Sequence, residues 1–192
     1  MARPKEFDYD EKLQLARDLF WEKGYNNTSL NDLIDNLKIN KSSFYNSFSS
    51  KHELFLNCLK NYIQEKELEY TNILKSDPDP IIAIENTLRY ILNTVTAQAR
   101  TCLTVNSTFE LARTDRQVNE LLKDHTLTRV RMFEDLIIKA KDSGRIALDK
   151  DPKALAHFLV SGITAIWNIQ LTFSDNELTR QTAAVILQSI KS

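Results

Sequence analysis

The chain has 192 residues, 42% of them hydrophobic and 27% charged, which suits a soluble globule with one sizeable core or two small ones and argues against a disordered chain. A formal net charge of -1 excludes a protein that binds polyanions over its whole surface, so any nucleic-acid contact has to come from a local patch. Cys58 and Cys102 are too few for a disulfide framework, and "MARPKEFDYDEK" lacks the apolar run of a signal peptide, so a cytoplasmic location is expected.

Only three Gly and four Pro punctuate the chain, most of them where a helix should begin or end. Leu13, Ala16, Leu19 and Phe20 form the apolar face of a first helix that stops at Gly24, a residue suited to a left-handed cap. Thr28 or Ser29 caps a short second helix with Leu30, Leu33, Ile34 and Leu37 inward, and Asn40 caps a third that ends near Phe48. Ser50 with Glu53 reads as a capping box that opens a fourth helix reaching about Leu74, long enough to leave one domain and enter another. In "SDPDP", Asp79 caps and Pro80 begins a helix whose Ile81, Ile84, Leu88, Ile91 and Val95 recur at spacings of three and four.

A shorter helix around Leu103 to Ala112 follows, and Thr114 and Gln117 cap a long one that ends at Gly144. Asp151 and Pro152 start the next, and Ser174 with Glu177 starts the last, with Leu178, Val185, Ile186 and Ile190 as its apolar side. Ala154 to Ser174 holds no Asp, Glu, Lys or Arg and is long enough to span a bilayer. His157, Ser161, Thr164, Asn168 and Thr172 nevertheless draw a polar stripe along it, which lipid would penalise, so a buried helix of a soluble protein is expected and no membrane partner. Strand alternation occurs nowhere, and the expected fold is all-α, with about nine helices.

Isolated glycines cannot build a GxGxxG or Walker-type phosphate loop, and His52, His125 and His157 match no metal-ligand spacing. Asp77 and Asp79 lie among prolines, where capping explains them better than acid/base catalysis. No catalytic constellation, metal or cofactor is therefore called for, and the protein is expected not to be an enzyme.

What does rise above composition is "LKINKSSFYNSFSSKHELF", Leu37 to Phe55. Between Asn36 and His52 it carries three Lys and no acid, whereas the first 60 residues as a whole balance nine Lys/Arg against nine Asp/Glu. Three short helices, the second and third joined by the tight segment Leu37 to Asn40, have the dimensions of a helix-turn-helix, whose last helix enters the major groove. Lys41, Ser42, Ser43, Tyr45 and Asn46 then form the groove-facing side, with Phe44 and Phe48 locking the other side to Leu33, Leu37 and Ile39. Asn46 suits adenine and Ser43 either kind of base edge, while Lys41, Tyr45 and Lys51 suit phosphates. The competing reading is an ordinary solvated helix face.

Residues Phe7 to Asn57, and within them "LARDLFWEKGYNNTSLNDLIDNLKINKSSFYNSFSSKHELF", resemble the DNA-binding region of the TetR/AcrR family of bacterial transcriptional regulators. The matching features are Gly24-Tyr25 after helix one, Thr28-Ser29 at the start of helix two, a basic turn into helix three, Tyr45 to Phe48 as Tyr-x-x-Phe, and Lys51 at the mouth of helix four. The resemblance implies a phosphate contact from the Thr28 and Ser29 end, base or backbone contacts from Lys41 to Asn46, a phosphate contact from Lys51, and an arm with Arg3 and Lys5 reaching DNA. The chain departs from the family at Lys38 and Ser42, where Gly is usual, so Lys38 has to adopt whatever backbone angle Gly supplies.

The resemblance further implies a DNA-binding domain over residues 1–50, a fourth helix linking the domains from about 51, and an effector-binding and dimerisation domain over 51–192. It implies a homodimer through the last two helices, which the apolar excess of Ala154 to Ser174 supports and for which Gly162 permits close approach. A small-molecule pocket is expected between the central helices, with Phe109, Met132, Phe133 and Trp167 as walls and Asn106, His125, His157, Ser161 and Asn168 as polar anchors, ordinary core packing being the alternative for each. Cys102, two residues after Arg100, is a candidate redox sensor beside the reading of a buried inert thiol. The function so implied is a repressor released from a palindromic double-stranded DNA operator by an unknown small-molecule effector. The alternative is a helical protein-interaction module with a vestigial helix-turn-helix.

Overall fold

The computed structural model describes residues 8–97 and 101–191, and among them it contains nine α-helices and no strand. They are α1 (Tyr9–Lys23), α2 (Leu30–Leu37), α3 (Lys41–Phe48), α4 (Lys51–Leu74), α5 (Pro80–Ala97), α6 (Leu103–Leu111), α7 (Arg116–Asp142), α8 (Pro152–Phe173) and α9 (Asn176–Lys191). The all-α expectation holds, and several helix starts follow from local caps. Asp8 caps α1 by accepting from the backbone of Asp10 and Glu11, Asn40 caps α3 through Ser43, and Asp79 accepts from Ile81 at the head of α5. Asp151 caps α8 with Pro152 as its first residue.

Three expected caps differ. Ser50 accepts from Glu53 N at 3.0 Å, but Ser50 N donates to Phe48 O, so α4 opens on a one-sided cap rather than a box. Asp115, not Thr114 or Gln117, caps α7 by accepting from Val118 N at 3.1 Å, and Thr114 instead donates to Leu111 O. Asp175 caps α9 by accepting from Glu177 N and Leu178 N, while Ser174 ends α8 in the left-handed region at φ 50°. An acid outcompetes a neighbouring hydroxyl here because a carboxylate also complements the positive end of the helix.

Helices α1, α2 and α3 pack around the first half of α4, with Leu13, Ala16, Phe20, Leu33, Leu37, Phe44, Phe48 and Phe55 buried between them. Helix α4, about 36 Å long at ~1.5 Å per residue, continues into a second bundle where it meets α5, α6 and α7. There α5, α7, α8 and α9 pack on one another, burying the expected stripe Ile81, Ile84, Leu88, Ile91 and Val95. Helix α8 is long and apolar enough to cross a membrane, yet it packs against α5, α7 and α9, and His157, Ser161, Asn168 and Thr172 lie on its exposed side. Gly162 lies against α9 of the same chain: a Cβ there would be 2.8 Å from Ile186 Cδ1, so its close approach serves the α8–α9 packing.

Candidate functional site

The geometry of α2 and α3 is set by two caps and one turn. Ser29 Oγ accepts from Asp32 N at 3.0 Å while Asp32 Oδ2 accepts from Ser29 N at 2.8 Å, a reciprocal box that starts α2. Lys38 then takes the left-handed conformation, φ 52° and ψ 45°, the angle expected where the family carries Gly. This reversal aims α3 outward with Phe44 and Phe48 buried, their rings 5.6 Å apart and Phe48 5.3 Å from Tyr9. Lys41, Ser42, Tyr45 and Asn46 are left exposed and Ser43 half-buried, which brings five of the expected residues together on one acid-free face. Asp32, the acid in the first turn of α2, is held well below the usual carboxylate range by Lys23, whose Nζ lies 2.7 Å away, and by Ser29.

The remaining expected DNA contacts fare differently. Thr28 has 0% of its surface exposed, and its hydroxyl donates to Gly24 O at 2.6 Å, so this side chain tightens the α1–α2 turn from inside. Ser29 is exposed, with its hydroxyl donating to Asp32 Oδ2 at 2.6 Å. Lys51 is half-buried with Nζ 4.2 Å from the centre of the Tyr25 ring, and loss of hydration pushes its ammonium below the ordinary lysine value. Arg3, Lys5 and Arg100 lie outside the described residues.

A contact between the two bundles joins residues that sequence reasoning missed. Glu110, at the end of α6, accepts from Tyr25 N at 3.1 Å and from Asn26 N at 2.7 Å, and a Cβ on Gly24 would stand 3.2 Å from the same carboxylate. His52 Nε2 lies 2.6 Å from Asp115 Oδ2, and Tyr25 packs on Phe55 with ring centres 4.8 Å apart. Trp21 Nε1 donates to Thr101 O. The Gly24-Tyr25 pair signals a special turn in the sequence, but nothing near it points to a carboxylate some 85 residues away.

The nine expected pocket residues do not converge on one space, and half-buried Met132 lines none of those described next. Asn106, Phe109 and Asn168 line an open cleft of about 780 Å³ between the bundles, together with Trp21, Asn26 and Leu171; Phe109 is 73% exposed there. His125 and Ser161 line a narrower cavity of about 140 Å³ between α6, α7 and α8. Trp167 borders a void of about 10 Å³ that includes Tyr62, Tyr70, Tyr90 and Cys102. Phe133 is buried in the core and His157 is exposed, and neither lines these spaces. Cys102 is buried, with Tyr62 Oη donating to its Sγ at 3.4 Å and Thr104 Oγ1 at 3.0 Å. Burial pushes the His125 imidazole below its ordinary value although Glu67 Oε1 lies 3.1 Å from Nδ1. Arg129, one turn along α7, also lines the 140 Å³ cavity; its Nε and one terminal nitrogen are buried without a hydrogen-bond partner. Its signal in the sequence was a lone basic residue in the buried series Val118, Leu122, His125, Arg129 and Phe133.

Comparison with known proteins bears on the whole chain. Residues 13–58 match the family described as bacterial regulatory proteins, tetR family, and residues 83–186 match the tetracyclin repressor-like C-terminal domain. An uncharacterized HTH-type transcriptional regulator of Bacillus subtilis (strain 168), YezE, is 30% identical over 162 residues, 83% of this chain and 84% of that protein. The HTH-type transcriptional repressor ComR of Escherichia coli (strain K12) is 28% identical over 161 residues, 82% of this chain and 77% of ComR. The solved structure of a cysteine mutant of the TetR family transcriptional regulator CifR, complexed with 26bp double-strand operator DNA, superposes with a TM-score of 0.85 at 25% identity, covering 97% of this chain and 99% of that one.

Proposed function

This chain belongs to the tetR family of bacterial regulatory proteins and is a DNA-binding transcriptional regulator, and from that premise we propose that it is a cytoplasmic repressor without catalytic activity, released from a palindromic operator by a small molecule. The family works as dimers on operator DNA with small-molecule ligands. In this reading residues 1–50 form the DNA-binding unit, α4 from about residue 51 links it to the rest, and 51–192 carry the effector site and the dimer contact. The observation that carries it is the exposed face of α3, free of Asp and Glu and backed by buried Phe44 and Phe48.

Lys41 and Tyr45 hold phosphates, and Ser42, Ser43 and Asn46 approach base edges, because small polar side chains let the helix settle deeply into the major groove. Lys51 contributes positive potential from its place over Tyr25, and Ser29 contributes the exposed N-terminus of α2. Effector binding between α6, α7 and α8 reaches the reading head through Glu110 and Asp115, which grip the α1–α2 loop and the start of α4. Release then requires only that the effector favour a conformation whose two heads no longer match two half-sites. Cys102 enters as a packing thiol, given its burial and its hydroxyl partners.

The test is fluorescence anisotropy with labelled DNA from the upstream region of the protein's own gene, against scrambled DNA and across salt. Sequence-preferring binding is expected, with Lys41→Ala flattening the salt dependence by about one unit in log–log slope per contact per head. Equal affinity for scrambled DNA and for DNA selected from a random pool would refute the repressor and support an interaction module.

A further inference from the structure

Lys51, the first residue of α4, carries its charge at the wrong end of a helix. Backbone N–H groups make a helix N-terminus partly positive, so an ammonium is repelled there and stability alone would favour an acid. The two acids whose charge draws on it, Glu110 and Asp32, are committed elsewhere. Glu110 accepts from Tyr25 N and Asn26 N, and Asp32 accepts from Lys23 Nζ and Ser29 N. Among the described residues the direct partner of the Lys51 ammonium is the Tyr25 ring, whose centre lies 4.2 Å from Nζ. That ring is itself held firmly. Phe55 packs against it with centres 4.8 Å apart and Phe20 with centres 6.0 Å apart, while Glu110 fixes the Tyr25 N–H at 3.1 Å. The Tyr25 hydroxyl bonds to no described residue, so what Tyr25 offers Lys51 is the electron-rich face of an aromatic ring.

We propose that Tyr25 is a positioning residue for operator binding: its ring holds the Lys51 ammonium in place for a DNA phosphate. A free lysine gives up the motion of a long side chain when it grips a phosphate, whereas one already resting on a fixed ring has given up much of it beforehand. The ring does not compete with the phosphate, because it covers one side of the ammonium and leaves other N–H groups free to donate. A contact of this kind at a partly exposed site contributes roughly 2- to 5-fold in affinity per head, hence roughly 5- to 30-fold for a dimer with two heads. The inference rests on the reading of Lys51 as a phosphate contact; the seat of the ammonium on the ring does not.

Fluorescence anisotropy of the full-length protein on DNA selected from a random pool tests the role of the ring. Tyr25→Phe is expected to bind within about twofold of the parent, since the face of the ring is kept. Phenylalanines with one, two and three ring fluorines at position 25 nearly keep the shape of that residue while draining electron density from its face. Operator affinity is expected to fall stepwise along this series, towards the loss of roughly 5- to 30-fold expected for Tyr25→Met. Lys51→Ala is expected to flatten the salt dependence by about one unit in log–log slope per head and to abolish the fluorine series. A series without a trend, or one that persists in Lys51→Ala, would make Tyr25 a packing residue and overturn the inference. Parent affinity and slope in Lys51→Ala would remove the phosphate contact and the positioning role with it. Equal affinity of the parent for selected and scrambled DNA would sink the regulator reading as well, so the two failures have different signatures.

Discussion

Two residues between the reading helices hold backbone angles that side chains normally avoid. Lys38 sits at φ 52° between α2 and α3, and Ser49 at φ 62°, ψ −50° between α3 and α4. Around Ser49 the Ser50 N–H donates to Phe48 O at 2.6 Å, closing a three-residue turn of the strained, positive-φ kind. Both lie where α3 must reverse within a few residues, so the strain is the cost of presenting that helix. A left-handed non-Gly residue costs roughly 1–2 kcal/mol, part of which Gly returns as chain entropy on unfolding. Lys38→Gly is therefore expected to stabilise the protein by up to about 1 kcal/mol, read as a higher urea midpoint at unchanged slope. A lower midpoint would mean that the Lys38 side chain makes a compensating contact. The angle itself was legible, because the turn demands it whatever the residue. The burial of Thr28 was not, since a threonine that caps from outside and one that bonds back to Gly24 O look alike in sequence.

At the scale of helices, legibility mostly follows the range of the deciding interaction, the local caps of α4 and α9 being the exceptions because two neighbouring groups competed for each role. The ends of α1, α2, α3, α5 and α8 were readable because each cap is settled within about four residues. The N-terminus of α7 was not, because Asp115 is fixed partly by His52, 63 residues earlier. The same distance hid Glu110 on the α1–α2 loop, and the division of the expected pocket into a cleft, a cavity and a void depends on how α6 sits against α7 and α8. Asp115 makes this testable. Burial opposes its ionisation, but bonds from Val118 N and His52 outweigh that and hold the carboxyl below its usual range. A depressed carboxylate contributes stability that is present above its unfolded value, about 3.8, and lost as pH falls through the lower folded one. Asp115→Ala is expected to cost about 1–2 kcal/mol at neutral pH, the worth of a helix cap with a charged partner. The gap between mutant and parent in thermal or urea unfolding should close progressively below about pH 4. A gap constant down to pH 2 would show that Asp115 acts by shape and not by charge.

For the whole molecule, the question is what covers the outer surfaces of α8 and α9. Phe158, Leu171 and Phe173 on α8 and Leu178 and Val185 on α9 are exposed, although Leu178 and Val185 were expected among the inward apolar side. Helix α9 divides its apolar residues, sending Ile186 and Ile190 to the chain's own core and leaving Val185 61% exposed. Gly162 belongs to the inner division, against Ile186, so the outer one depends on large side chains. A second copy meeting these residues would bury them by twofold symmetry, each α8–α9 pair facing the other. It would also fix the separation of the two α3 helices, which half-sites about 34–36 Å apart require. Val185→Asp tests this without touching the core: each dimer would bury two facing charges, while the monomer would only gain a solvated one. Sedimentation equilibrium is expected to show a dimer for the parent and a monomer of unchanged helicity for the variant at micromolar concentration. Operator affinity should fall with it, because one head supplies only half of the contacts and the second must then bind from solution instead of from the same particle. A Val185→Asp protein that remains dimeric would place the twofold contact elsewhere and leave the exposed apolar residues of α8 and α9 to another partner.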